Sequence, residues 1–187
     1  MSTEDIFRRI IGALDGAGIP YMLTGSFASS YHGIPRATQD IDLVIAPTAS
    51  QLRRLVALLP DAEYYISEEA ALDALARETQ FNVIDFATGW KTDLIIRKSR
   101  PFSQTEFERR SAVDLFGLQL FIASAEDVLL AKLEWAKAGQ SMRQVEDCAN
   151  LLRARWEELD RGYIEHWVVQ LGLTDQWEAA LKMAGVR

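Results

Sequence analysis

Two aspartates separated by a single residue, Asp40 and Asp42, are the side chains in this sequence best suited to chemistry. They belong to the run 40–45, in which Ile41 and every second residue after it are apolar, and such alternation is typical of a β-strand. Residues two apart on a strand point to the same side, so the two carboxylates would repel each other unless a cation lay between them. A hard divalent cation that prefers oxygen ligands, Mg²⁺ or alternatively Mn²⁺, suits this pair.

A Gly-Ser turn, Gly25-Ser26, stands upstream of the aspartates, with thirteen residues between Ser26 and Asp40. The turn follows the short apolar run 21–23, which we predict to be a buried strand, and precedes a predicted short helix at 27–31. A turn between a strand and a helix offers free backbone N–H groups, and the serine adds a hydroxyl; both can hold phosphate oxygens. We therefore expect Gly25 and Ser26 to bind a phosphate-bearing ligand.

A third carboxylate would complete a two-metal site for in-line displacement at a phosphorus atom. Asp93 is our candidate, because it heads the apolar run 94–96 and a charge at the start of a buried strand is unusual without a function. Asp85 is the alternative. It lies near the end of the preceding strand, beside the Thr88-Gly89 turn, where acids are usually solvated.

The elements that must position these residues alternate between helix and strand up to about residue 123 and are helical afterwards. Ser124-x-x-Asp127 and Ser141-x-x-Gln144 resemble capping boxes, which places helix starts at both serines. We expect a mixed α/β core over residues 1–123 and a helical region over residues 124–187 packed against it. Periodicity and turn residues predict core helices at 3–17, 27–31, 48–59, 68–76 and 103–110, and strands at 21–23, 40–45, 81–86, 91–97, 112–115 and 118–122.

Three stretches resemble the three motifs of the nucleotidyltransferase superfamily that includes DNA polymerase beta: Leu23–Ser26, Asp40–Leu43 and Thr92–Ile95. In that pattern an apolar-Gly-Ser turn precedes a Dx[DE] pair, and a third acid lies on a later strand. The resemblance covers roughly residues 20–97. The run 36–42 is also similar to the R-x-[ST]-x-D-x-D run of bacterial AbiEii-type and related minimal nucleotidyltransferases, some of which act as toxins.

The resemblance implies an α+β fold, with a nucleotidyltransferase-type mixed β-sheet flanked by helices and followed by a C-terminal helical bundle. It also implies that Asp40 and Asp42 hold metals bridging to a nucleoside triphosphate, and that Ser26 contacts the terminal phosphates. Asp93 would complete the second metal site and help to deprotonate an acceptor hydroxyl. The implied activity is Mg²⁺-dependent transfer of a nucleoside monophosphate from an NTP. The acceptor stays open between a tRNA end, a protein hydroxyl and a small aminoglycoside-like molecule.

Two further cations have both a functional and a structural interpretation. Arg36 either binds phosphate or pairs with the acidic cluster as a counter-ion. Lys132 lies in the segment 124–133, which is similar to a helix whose lysine approaches the nucleotide in those relatives. Its long stem could equally run past the apolar face of its own helix.

Other polar residues also remain open between two roles. Arg143 and Asp147 are spaced i, i+4, which suits an ordinary helix ion pair as well as a polar motif of the site. The basic run Arg97, Lys98 and Arg100 could hold phosphates of an acceptor or form a solvated edge.

Composition sets outer limits on function. The chain has 187 residues, 49% of them hydrophobic, and a formal net charge of −7, which argues against nonspecific binding to DNA or anionic membranes. The single cysteine, Cys148, excludes an intrachain disulfide. Without a secretory signal or an apolar run of about 20 residues, we expect a cytoplasmic protein. The alternatives to a transferase are a non-catalytic nucleotide- or partner-binding module, with an antitoxin or a second copy as partner, and a metal-dependent phosphohydrolase.

Overall fold

The computed structural model describes residues 3–35 and 37–186. The chain divides into two compact units. The sheet unit comprises Met1–Thr24 and Thr38–Ile122, and the helical unit comprises Gly25–Ala37 and Ala123–Arg187. The segment Gly25–Ala37, which we expected in the core, instead belongs with the C-terminal helices.

The sheet unit contains four helices and seven strands in its described residues. Mixed α+β structure was the predicted class, and it is confirmed. The helices are α1 (Thr3–Ala17), α3 (Ala49–Leu58), α4 (Glu68–Arg77) and α5 (Pro101–Glu108), and the strands are β1 (Tyr21–Thr24), β2 (Asp40–Ile45), β3 (Tyr64–Tyr65), β4 (Gln80–Asp85), β5 (Lys91–Ile96), β6 (Ser111–Leu115) and β7 (Leu118–Ile122). The helical unit contains α2 (Gly25–His32), α6 (Ala125–Gly139), α7 (Met142–Arg155), α8 (Arg161–Leu171) and α9 (Thr174–Ala184).

The seven strands form one sheet in the order β3-β4-β5-β2-β1-β7-β6. Strand β2 pairs in parallel with β5, and β1 pairs in parallel with β7, whereas the remaining neighbours are antiparallel. This order places β2 at the centre of the sheet. The strand that carries the two aspartates is therefore held on both sides by main-chain hydrogen bonds.

One side of β2 is part of the hydrophobic core. Ile41, Leu43 and Ile45 are completely buried, as the period-two pattern predicts. Helix α1 buries Phe7 and Leu14 in the same unit, because its apolar residues recur at helical spacing. The polar residues of β2 are thus left on the opposite face of the sheet.

Several details of the sheet unit differ from the sequence-based expectations, and three of them are described here with their reasons. The two-residue strand β3 was not predicted, because Tyr64-Tyr65 is too short to show a period. Helix α5 begins at Pro101 rather than at residue 103, since proline has the backbone angle of the first helical turn. Strand β4 begins at Gln80, one residue before the apolar run from which it was predicted.

The helical unit is held by a close approach of α2 to α7. A side chain at Gly33 would meet the Ser29 carbonyl oxygen at 3.1 Å and the Leu151 Cα at 3.3 Å, so only glycine fits without movement. Both predicted helix starts are confirmed. The Ser124 hydroxyl accepts a hydrogen bond from the Asp127 N–H, but Ser141 makes no side-chain capping bond, so the second capping box is wrong. In the described ranges no helix is both long enough and apolar enough to cross a membrane.

Candidate active site

Four polar residues lie side by side across the centre of the sheet. The strand register places Asp42 opposite Asp93 on one side and opposite Thr24 on the other, and Asp93 is in turn opposite Asn82. Paired residues on neighbouring strands project to the same face, with the strands about 4.8 Å apart. We call Thr24, Asp42, Asp93 and Asn82 the polar row. The two acids predicted from different motifs are therefore direct neighbours.

A second row begins one pleat away on the same face. Asp40 is opposite Lys91 in the parallel pairing of β2 with β5. Residues two apart on one strand share a face, so Asp40 and Lys91 lie beside Asp42 and Asp93 at a separation of roughly 7 Å along the strands. All three predicted acids consequently share one face of the sheet.

Lys91 supplies positive charge within this group. Its Nζ lies 2.9 Å from Asp93 Oδ2 and 4.0 Å from Asp40 Oδ1. The hydrogen bond to Asp93 raises the pKa of the lysine ammonium, and the neighbouring carboxylate charges act in the same direction. Our sequence analysis did not identify Lys91. The same period-two argument applied to β5 would have found it, because it stands two residues before Asp93.

The three acids differ in exposure. The Asp40 side chain is 57% exposed and that of Asp93 only 13%. Asp42 is partly exposed. A carboxylate as deep as Asp93 needs a partner, since an unpaired buried charge is costly. Lys91 is that partner, and the exposed Asp40 faces solvent.

The donor set of this face fits a hard divalent cation. It consists of carboxylate oxygens, and a cationic ammonium already lies against two of the three acids. Within residues 3–35 and 37–186, however, no three His, Cys, Asp or Glu side chains are gathered closely enough to hold a metal ion. The metal-binding role of the three acids therefore stays a prediction.

The Gly-Ser turn lies where β1 ends. Gly25 follows Thr24 of the polar row and begins α2, with φ at +63°, a conformation that favours glycine. Helix α2 starts at Gly25 itself, two residues earlier than we predicted. The phosphate-binding role of Gly25 and Ser26 stays a prediction.

Lys132 is engaged inside the helical unit. It is 3% exposed, and its Nζ lies 2.7 Å from Asp147 Oδ2 and 3.2 Å from Gln144 Oε1. Asp147 therefore pairs with Lys132 of α6 rather than with Arg143, which is exposed. The i, i+4 ion pair that we considered from spacing is not formed.

Asp85, the alternative third acid, serves the turn after β4. It is 4% exposed, and its Oδ1 accepts hydrogen bonds of 2.9 Å from both the N–H and the hydroxyl of Thr88. Our expectation that this acid is solvated is wrong, because its carboxylate accepts both hydrogen bonds from Thr88 within the turn that follows β4. Asp85 is three residues from Asn82 and so points to the other face of the sheet. Arg36, the remaining predicted ligand, lies outside the described residues.

The basic residues after β5 occupy different environments. Arg97 lies over the Phe107 ring, and the Arg100 Nε donates to the Ser103 hydroxyl at 3.0 Å. Lys98 is exposed. The three cations therefore do not form one solvated edge.

No protein-family model matches the sequence, and no curated protein matches it. Solved structures do match. The lincosamide antibiotic adenylyltransferase LnuA, in its lincomycin-bound structure, is 15% identical, with 81% of this chain and 96% of that chain covered and a TM-score of 0.54. An antigenic nucleotidyltransferase-like protein from Paracoccidioides brasiliensis is 14% identical, covering 94% and 92% at a TM-score of 0.54. ANT(2")-Ia in complex with adenylyl-2"-tobramycin is 11% identical, covering 99% and 98% at a TM-score of 0.54.

These likenesses establish the fold, which is of the nucleotidyltransferase type. The narrower resemblance to AbiEii-type proteins receives no support from them.

Proposed function

We propose that this protein transfers a nucleoside monophosphate from an NTP to an acceptor hydroxyl and releases pyrophosphate in a Mg²⁺-dependent reaction. The observation that carries the proposal is the placement of Asp42 directly beside Asp93, with Asp40 on the same face. These residues come from two motifs separated by about fifty positions in the chain, and only the β2–β5 pairing brings them together. The nucleotidyltransferase-type fold agrees with this chemistry.

In this proposal the three acids would hold the metal, which would neutralise the phosphate charge during the displacement. The acceptor oxygen forms a bond to the α-phosphorus while the bond from that phosphorus to the pyrophosphate oxygen breaks. The proton of the acceptor hydroxyl passes to Asp93. Gly25 and Ser26 would bind the terminal phosphates through main-chain N–H groups and the serine hydroxyl. Catalysis comes mainly from positioning and charge neutralisation.

Lys91 has two roles in this proposal. Before a nucleotide binds, its ammonium holds the Asp93 carboxylate in place and offsets the charge of Asp40. With a metal held by the acids, the Lys91 ammonium would be available to the negatively charged triphosphate.

The experiment that tests the proposal is calorimetric titration of each NTP, with and without Mg²⁺, into the wild type and into Asp40→Asn and Asp42→Asn. We expect Mg²⁺-dependent binding of at least one NTP, and loss of that dependence in both variants while circular dichroism shows an unchanged fold. Transfer should fall by about 10²–10³-fold or more in each, as when one transition-state contact is removed. Full transfer activity in both variants would refute the assignment.

A second function is favoured by one specific observation. The Lys91 ammonium lies 2.9 Å from the Asp93 carboxylate and already neutralises its charge. In the described ranges no group of His, Cys, Asp or Glu side chains lies close enough to hold a metal ion. Both observations agree with a module that binds nucleotides without a metal. Such a module would bind NTPs equally well in EDTA and would release no pyrophosphate. The same titrations therefore separate the two functions.

A further inference from the structure

Two arginines of the sheet unit stack on one aromatic ring away from the three acids. Arg97 follows β5, and Arg110 lies between α5 and β6. The Arg97 Cζ is 5.4 Å from the centroid of the Phe107 ring, and the Arg110 Cζ is 4.1 Å from it. Arg110 also lies 5.3 Å from the Phe121 ring, whose residue is 42% exposed. We call Arg97 and Arg110 the arginine pair.

The arginine pair has no compensating acid. Within residues 3–35 and 37–186 neither guanidinium forms an ion pair with a carboxylate, and that of Arg97 makes no hydrogen bond. The segment 97–110 contains five basic and two acidic residues, in a chain whose net charge is −7. Burial lowers the pKa of Arg110, and the nearby charge of Arg97 lowers it further. Two like charges held together in this way favour an anion between them.

One nitrogen of the arginine pair has no hydrogen-bond partner among the described residues. The Arg110 Nη1 donates to the Phe107 carbonyl oxygen, but its Nε is buried and has no hydrogen-bond partner among the described residues. Stacking on Phe107 alone would not require two adjacent cations. A bound anion accounts for both of them.

The position of the pair separates it from the phosphates of a bound NTP. Arg97 is four residues after Asp93, and its N–H donates to the Ile45 carbonyl oxygen at 2.8 Å, which continues the pairing of β2 with β5. Arg97 is therefore on the same face as Asp93 and roughly 13 Å further along the strand. One phosphate group cannot reach both places, but a second molecule lying on this face can.

We propose that Arg97 and Arg110 bind a phosphoester group of the acceptor, so that the acceptor is a phosphate-bearing molecule such as an RNA end or a phosphorylated sugar. This inference rests on the proposed transfer function. Two guanidiniums match the several oxygens of a phosphate better than a single carboxylate does. Lys98, which is exposed beside Arg97, adds to the positive potential around the pair.

The test measures binding in EDTA without NTP, so that metal-dependent binding at the acids does not contribute. The probes are ribose 5-phosphate and an RNA hexamer with free 5′ and 3′ hydroxyls. We expect the wild type to bind at least one of them and Arg97→Gln to bind it about tenfold more weakly. For the hexamer, the slope of log affinity against log salt should fall by about 0.7 for each phosphate that the variant no longer neutralises. The matched control is Arg53→Gln/Arg77→Gln, which removes two exposed cations elsewhere in the sheet unit and should bind like the wild type.

Arg97→Gln carries the test because Arg97 contacts the ring only at its face, whereas Arg110→Gln disturbs a partly buried side chain. A thermal melt confirms that the variant is folded. Binding of ribose 5-phosphate points to a small phosphorylated acceptor, and binding of the hexamer alone points to a nucleic acid strand. The proposal is overturned if the wild type binds neither probe, or if Arg97→Gln binds as the wild type does.

A parallel titration with Mg²⁺ and NTP distinguishes failure of this inference from failure of the proposed function. Arg97→Gln should bind NTP as the wild type does. If the wild type binds a phosphoester probe but no NTP, the arginine pair is an anion site and its assignment to an acceptor is wrong.

Discussion

Two lysine–aspartate pairs of almost equal length lie in the two units of this molecule, and they serve opposite purposes. In the helical unit, Lys132 and Asp147 are 2.7 Å apart, with side-chain exposures of 4% and 7%. In the sheet unit, Lys91 and Asp93 are 2.9 Å apart, with exposures of 38% and 13%. The buried pair is complete, because Gln144 also accepts a hydrogen bond from Lys132.

The pair in the sheet unit is not balanced in charge. The Lys91 ammonium lies 2.9 Å from Asp93 and 4.0 Å from Asp40, so one ammonium contacts two carboxylates. A surplus of negative charge at an accessible face favours a cation from solution, whereas a closed, neutral pair does not. The distance between the charged atoms alone therefore does not identify a functional ion pair; accessibility and the local charge sum do.

Of the variants that test this comparison between the two pairs, we expect the largest change in stability at Lys132. Lys132→Met removes the ammonium that lies 2.7 Å from the buried Asp147 carboxylate, and we expect the free energy of unfolding to fall by about 3–5 kcal/mol. Urea denaturation measures this decrease. The matched control is Lys137→Met on the same helix, where an exposed lysine donates to the Leu171 and Gly172 carbonyl oxygens, and its effect should be under about 1 kcal/mol.

The same variants test whether Lys132 binds nucleotide, as the family resemblance implies. If Lys132→Met were as stable as the wild type but failed to bind NTP, the lysine would be a ligand and not a structural counter-ion. Adding Asp147→Leu to Lys132→Met should restore most of the stability, because both charges of this pair are then absent.

A smaller effect is expected at Lys91. Lys91→Met removes the counter-charge of a partly exposed pair, so we expect a decrease of about 1 kcal/mol in metal-free buffer after allowing for solvent screening. Millimolar Mg²⁺ should then raise the melting temperature of Lys91→Met more than that of the wild type, because the metal replaces the missing charge. Thermal melts with and without Mg²⁺ measure the difference. An equal response of the two proteins would mean that the three acids do not bind the metal.

The smallest effect concerns pH and belongs to the helical unit. The His32 Nε2 lies 2.7 Å from the Ala123 carbonyl oxygen, and burial lowers the pKa of this histidine below its usual 6.5. In the unfolded chain this imidazole therefore binds a proton near pH 6.5, whereas in the native state it binds the proton only at a lower pH. Stability is full above that pH and decreases as pH falls below it.

Urea denaturation at pH 7 and pH 5 measures this dependence. His32→Gln should lose less stability between the two values than the wild type does, whereas a variant at the exposed His166, His166→Gln, should behave like the wild type. An identical decrease in His32→Gln and the wild type would assign the pH dependence to other groups.

Much of the sheet unit follows from sequence because its signals are local. The alternation in β2 and the helical spacing in α1 each need only one segment of chain. Asp40 and Asp42 were selected from their spacing on one predicted strand, and Asp93 from its place at the head of an apolar run. The opposite faces of Asp85 and Asn82 likewise follow from their odd separation, once β4 is known to be continuous through both.

The sequence did not predict which segments far apart in the chain contact each other. Lys91 becomes important only when β5 pairs with β2, and Lys132 finds Asp147 on a different helix. The i, i+4 spacing predicted that Asp147 pairs with Arg143 on the same helix. It pairs instead with Lys132 of α6, because the two buried charges neutralise each other. Phe107, which joins Arg97 to Arg110, carried no sequence signal at all.

The division of the chain has a consequence for how such a protein can be shortened or recombined. Residues 25–37 belong to the helical unit although sheet residues precede and follow them, so the chain passes between the units three times. A truncation at residue 123 would deprive α2 of α6 and α7, and Ala28 and Ser29 would lose their cover. Any exchange of the C-terminal helices between related proteins would therefore have to carry the Gly25-Ser26 turn with it.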